Sequence, residues 1–185
     1  MLVDEKRMPP IDRWAVQNDL FSLCVSGDEQ VRNYLDFSDA YFDEDSYLAS
    51  VNVAHNLASL YFRAFDEPFI EEIRSYAVNY FRKILFNLGW EPKKSDKHTD
   101  ALLRTFTIAV LGKMNDDSVT DEAIRKYKKF LKSPNSLSPD LIETICSIAA
   151  WNGNSKTFAE LKKLYTNSKT MEQKLRFLGA AKECS

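Results

Sequence analysis

The residues of this chain that could do chemistry are two histidines, three cysteines and a set of clustered carboxylates. His55 lies in Val53-Ala54-His55-Asn56-Leu57, with no glutamate beside it and no second histidine one turn away. A zinc pair of the His-Glu-x-x-His type needs both imidazoles on one helical face, so His55 reads as a hydrogen-bonded packing residue. His98, in the charged stretch 93–100, reads as exposed. Asp39, Asp43, Glu44 and Asp45 precede a helix expected near Ser46, where the positive end of the helix dipole favours negative charge. A hard cation would want calcium-loop spacing and a central glycine, which they lack. Asp116 and Asp117 play the same part before a helix near Thr120. Five scattered glycines cannot build a phosphate loop. Cys24 and Cys146 sit among apolar neighbours and read as small core residues, without the electropositive surroundings that activate a thiolate. No residue is expected to be catalytic, and none to ligate a metal or hold a cofactor.

The elements carrying these residues are helical. Apolar residues recur at three- and four-residue steps over 11–25, 47–62, 69–88, 102–111, 123–131, 141–150 and 158–165, with a weaker segment at 29–37 and a last one at 171–182. The spacing predicts about nine short helices. All six prolines fall outside the helix interiors, where each would cost about 3 kcal/mol. Gly27, Gly89, Gly112 and Gly153 follow apolar runs, as left-handed caps would. Ser138-Pro139 looks like a cap with proline at the first helical position, and Thr170 with Gln173 has capping-box spacing. Short connections make neighbouring helices pack antiparallel, in a bundle or a stack of pairs.

Composition narrows the partners. Hydrophobic residues make up 44% and charged residues 28%, and 25 Lys and Arg nearly balance 27 Asp and Glu, which gives no field for nucleic acid or membrane. The run Arg125 to Lys132 alternates with Tyr127, Phe130 and Leu131 and reads as a solvated helix face. An odd number of distant cysteines suits a reducing compartment, hence the cytoplasm.

Several segments carry a resemblance. They are Asp12-Arg13-Trp14-Ala15 through Ser26-Gly27; Leu88-Gly89-Trp90 with Leu102-Leu103-Arg104; Ser138-Pro139-Asp140-Leu141 through Trp151-Asn152-Gly153; and Phe158 to Tyr165 with Glu172-Gln173-Lys174-Leu175-Arg176-Phe177-Leu178-Gly179-Ala180. In order and separation they resemble the C-terminal helical domain of the M1 zinc aminopeptidases, most closely the puromycin-sensitive type and the archaeal tricorn-interacting factors. The resemblance implies an all-α superhelix of HEAT- or armadillo-like helix pairs that caps the peptide chamber of a cytosolic enzyme removing N-terminal residues from short peptides. It implies that zinc and the catalytic groups belong to a separate domain, and that the partners are that domain, the peptide substrate and a tricorn-type protease. None of the catalytic motifs matches a position here.

The expected layout is a flexible segment 1–10 followed by a helical-repeat domain 11–185, truncated at both ends relative to the parent enzyme. A free-standing helical adaptor for protein partners is the alternative. Arg13 and Arg104, in the matching segments, are the candidate substrate-binding residues, since a guanidinium there meets a peptide carboxylate bidentately. The simpler reading has both orienting helix pairs by bonding carbonyls and carboxylates. Trp14, Trp90 and Trp151 are expected to anchor helix packing. Met171, Leu175 and Leu178 leave the last helix with an apolar side that is expected to self-associate or be covered by a neighbour.

Overall fold

The computed structural model describes residues 6–184, which form α-helices and short 3-10 turns and contain no strand. The chain divides into two compact units, Met1–Lys83 and Ile84–Ser185.

The first unit holds α1 (Pro10–Ser26), α2 (Val31–Ser38), α3 (Tyr47–Arg63) and most of α4 (Ile70–Leu88). Pro10 opens α1, where its missing N–H costs nothing, and Gly27 closes it at φ 85°. α1 packs on α2 and α3. Tyr34, Tyr41, Leu57, Tyr80 and Phe81 are fully buried and form the centre of this unit. The ring of Phe42 meets those of Tyr76 and Tyr80 edge-on, which ties α4 to the 3-10 turn Asp39–Tyr41 and its following residue.

The second unit holds α5 (His98–Lys113), α6 (Asp117–Lys132), α7 (Ile142–Trp151), α8 (Ser155–Asn167) and α9 (Met171–Ala181). α7 packs against α5, α6 and α9, with α6 also on α5 and α8 on α9. Ile108, Leu111, Met114, Leu141, Ile145 and Leu161 are fully buried between them.

All nine expected helices are present among the described residues, and the differences lie at their ends. α5 starts four residues before the expected first apolar position, because its opening turn is polar, and α6 six before it, with the buried Val119 the one apolar residue of its opening turn. Asp116 Oδ1 accepts from Val119 N at 3.0 Å and starts α6 ahead of the expected Thr120. Ser138-Pro139 opens a 3-10 turn, Pro139–Leu141, and makes no side-chain cap; α7 begins only at Ile142. Thr170 caps α9 through Gln173 N, but Gln173 Oε1 returns to Lys169 N rather than to Thr170, so the expected box is half formed. Gly112 is not a cap. It lies inside α5, where a Cβ would stand 2.5 Å from Ile148 Cγ1, so its lack of a side chain lets α5 and α7 approach. The left-handed residue ending α5 is Asn115 (φ 53°), with Asp116 N donating to Leu111 O.

Of the segment expected to be flexible, residues 1–5 lie outside the described residues. Beyond them, Lys6 pairs with Asp45 at 2.9 Å and Met8 O accepts from Arg13.

Candidate functional site

Arg13 stands one turn into α1 and is 3% exposed. Its Nε and Nη2 donate to the two oxygens of Glu44, each at 2.7 Å, and Nη1 donates to Met8 O at 2.7 Å. Nη2 also reaches Asp45 Oδ1 at 3.3 Å. The hydrogen bonds it donates to Glu44 raise the guanidinium above its ordinary pKa, against the opposing effect of burial. Glu44 Oε1 in turn accepts from Ser46 N and so fixes the start of α3, while Tyr41 Oη donates to Arg13 O. Burial pushes the Tyr41 phenol up to about 12. The four carboxylates expected to act as a group on the helix dipole therefore divide their work: Glu44 is the bidentate partner of Arg13, and Asp43 pairs with Lys83.

Beside this clamp lies a buried amide network that apolar periodicity alone does not reveal. Gln17 Oε1 accepts from Tyr34 Oη and Asn56 Nδ2, each at 3.0 Å, and Gln17 Nε2 donates to Trp14 O and Asn52 Oδ1. Its sequence signal is the polar Gln17 and Asn56 within otherwise apolar stripes. Because Asn56 takes the inward polar position of α3, His55 faces outward and is exposed, not packed as expected.

Arg104, in α5, is 1% exposed. Its Nε donates to Gly89 O at 2.9 Å and its Nη2 to Leu88 O at 3.2 Å and Asp96 Oδ2 at 2.5 Å. Leu88 is the last residue of α4, and Gly89 follows it at φ 70°, the left-handed position expected of it. Lys93 Nζ adds a bond to Asn87 O at 2.9 Å, so two cations hold the exit of α4. The backbone N–H of Lys93, and after it the guanidinium of Arg104, hold the Asp96 carboxyl below the usual carboxylate range. Arg13 and Arg104 thus sit in different units, each directed at acceptors of its own unit.

The open polar surface of the second unit lies elsewhere. His98, Leu102, Thr105 and Phe106 of α5 line a depression of about 440 Å³ with Asp140 and Glu143 of the α7 entry and Arg176 of α9. Arg176 is held by Pro139 O at 2.9 Å and Glu172 at 2.6 Å. A second depression, of about 530 Å³, is walled by Phe130, Leu137, Ile142, Leu164 and Phe177. The first offers one cation, two carboxylates and an imidazole beside the apolar Leu102 and Phe106.

The other candidates fall as follows. His98 is exposed, and Cys24 and Cys146 are buried, as expected. Burial pushes the Cys146 thiol up to about 12. Trp90 stacks under Lys126, which also pairs with Glu91, so Lys126 is a buried exception to the solvated face 125–132. Trp151 is 44% exposed, with Lys113 over its ring at 5.5 Å and its Nε1 directed at Asn115. Among the described residues no three His, Cys, Asp or Glu side chains converge to hold a metal ion, and no helix is long and apolar enough to cross a membrane. The described donors therefore do not fit a zinc centre.

The family model of the ERAP1-like C-terminal domain matches residues 1–182. Among curated proteins, aminopeptidase M1-A of rice (Oryza sativa subsp. japonica) is 23% identical, over 98% of this chain and 22% of its own length. Aminopeptidase M1 of Arabidopsis thaliana is 24% identical, over 98% of this chain and 21% of its own. Tricorn protease-interacting factor F2 of Thermoplasma acidophilum is 25% identical, over 97% and 21%. The chain spans about a fifth of the length of the curated relatives it matches.

Proposed function

The chain belongs to the ERAP1-like C-terminal domain family, and from that premise we propose that it is the non-catalytic helical domain of a zinc-dependent M1-type aminopeptidase, capping the chamber where N-terminal residues are removed from short peptides. Zinc and the reacting groups belong, in this reading, to a separate catalytic domain. The observation that carries the proposal is the match of the family model over residues 1–182. The depression lined by Phe106, Glu143 and Arg176 is the surface that faces the peptide. Arg13 and Arg104 act on substrate only indirectly, by fixing the entry of α1 and the exit of α4. The three free cysteines support a cytoplasmic setting. A tricorn-type protease upstream would supply the peptides.

The experiment is zinc analysis of the purified 185-residue chain together with an aminoacyl reporter assay, with and without added zinc. The reading expects no stoichiometric zinc and no turnover above buffer. Turnover that follows this chain through successive purification steps would show that it holds its own reactive machinery.

A further inference from the structure

The two depressions of the second unit share a wall. Pro139 and Arg176 line both the one of about 440 Å³ and the one of about 530 Å³. Arg176 Nη1 donates to Pro139 O at 2.9 Å, so this pair forms a ridge between them. Arg176 Nη2 donates to Glu172 at 2.6 Å, which meets the cation on the ridge itself. The two sides differ in chemistry. On one, Asp140 and Glu143 stand three residues apart at the entry of α7, beside Leu102 and Phe106 of α5. Both carboxylates are exposed, and among the described residues no side chain pairs with either. A Cβ on Gly179 would stand 3.0 Å from Glu143 Oε1, so the glycine leaves that carboxylate room against α9. His98 lines this side too, but no lysine does: Lys97 is exposed outside it, and Lys113 is held by Glu183 at 3.1 Å. On the other side Phe130, Ile142, Leu164 and Phe177 form an apolar wall, and Arg176 is the one charged residue that lines it.

Given a domain that faces peptide, the reading on which this rests, we propose that an extended peptide segment lies across the ridge. A lysine or arginine side chain enters the carboxylate-lined depression, and an apolar side chain enters the other. Charge and shape select these occupants. Carboxylates three residues apart on a helical turn are neighbours and repel, and a cation between them relieves the repulsion. The methylene stem of Lys or Arg packs along Leu102 and Phe106 while its head bonds the carboxylates. An extended chain sends every second side chain to one face, so a single backbone fills two adjoining depressions. Recognition through side chains uses neither end of the peptide, so it reads residues within the substrate.

The test is an NMR titration of the isotope-labelled 185-residue chain with a short peptide of Gly and Ser, blocked at both ends, that carries one Leu and one Arg two positions apart. Saturable shifts are expected at the backbone amides of Leu102, Phe106 and Gly179 on one side of the ridge and of Leu164 and Phe177 on the other. Citrulline in place of the peptide's arginine keeps the shape without the charge and should weaken binding about fivefold. Serine in place of its leucine should weaken binding by about fivefold or more. Asp140→Asn with Glu143→Gln should bring the arginine peptide down to the level of the citrulline peptide and leave the citrulline peptide unchanged. If the two carboxylates serve only the N-terminus of α7, that variant loses stability while the arginine peptide binds as before, which overturns the proposal. Equal affinity for the arginine and citrulline peptides, shifts confined to one depression, or no saturable shift at millimolar peptide overturns it as well. Binding is read on this chain alone, so it can fail while the zinc analysis comes out as expected, and it can stand if that analysis does not.

Discussion

Arg104→Met removes the fork that holds the exit of α4 while keeping most of the buried stem. Leu88 O and Gly89 O then lose their donor, and Asp96 loses its buried cationic partner. A buried acceptor left unpaired costs about 1–3 kcal/mol, and because Leu88 and Gly89 are only half-buried, water recovers part of that. Roughly 1–2 kcal/mol for each carbonyl gives a loss of about 2–4 kcal/mol. With a urea slope near 2 kcal/mol per molar, the unfolding midpoint falls by about 1–2 M. Far-UV circular dichroism against urea measures it. Arg104→Lys keeps the charge but not the planar fork, so it should fall between the two. A midpoint for Arg104→Met within about 0.2 M of wild type would refute the clamp. If peptide turnover by an enzyme containing the domain then fell with stability unchanged, Arg104 would act on substrate directly.

Two other perturbations probe the second unit. Gly112→Ala puts a methyl 2.5 Å from Ile148 Cγ1, so overpacking of about 1–3 kcal/mol should outweigh a helix-propensity gain of about 1 kcal/mol. In a double-mutant cycle, Ile148→Ala should cost at least about 1 kcal/mol less in the Gly112→Ala background than in wild type. The Cys146 thiol keeps its proton in the fold up to about 12, whereas the unfolded chain releases it near 9.0. The native state then binds more protons than the unfolded one in that window, so this contribution to stability is full below about 9 and declines toward 12, by on the order of 1 kcal/mol per pH unit. Urea midpoints of Cys146→Ala should lack that component of the alkaline decline; an identical slope would contradict it.

Apolar residues at helical spacing made the nine helices legible, because burial of one stripe is what stabilises short helices in a fold. What escaped has identifiable causes. The first turn of α5 carries His98, Thr99 and Asp100 and leaves no periodic trace, while α6 opens its stripe with a single apolar residue, Val119, one turn before Ala123. Arg13 stood out from its segment, but its partner Glu44 lies 31 residues away and was one of four equivalent-looking carboxylates. Gln17, Tyr34 and Asn56 come from three helices, and only the fold brings their polar atoms together. Gly112 followed an apolar run as a cap would, yet what selects glycine there is Ile148 on another helix. The depression lined by Asp140, Glu143 and Arg176 joins the entry of α7 to the middle of α9, which nothing in the sequence marks as neighbours.

An antibody raised against this chain can recover its native polypeptide from cells for measurement of mass and aminopeptidase turnover together. If the chain caps the chamber of an M1-type enzyme, the captured polypeptide is several times longer than 185 residues, and its turnover is abolished by a zinc chelator and restored by zinc. Capture of a polypeptide of this chain's own mass, with no peptidase activity accompanying it, would contradict the account.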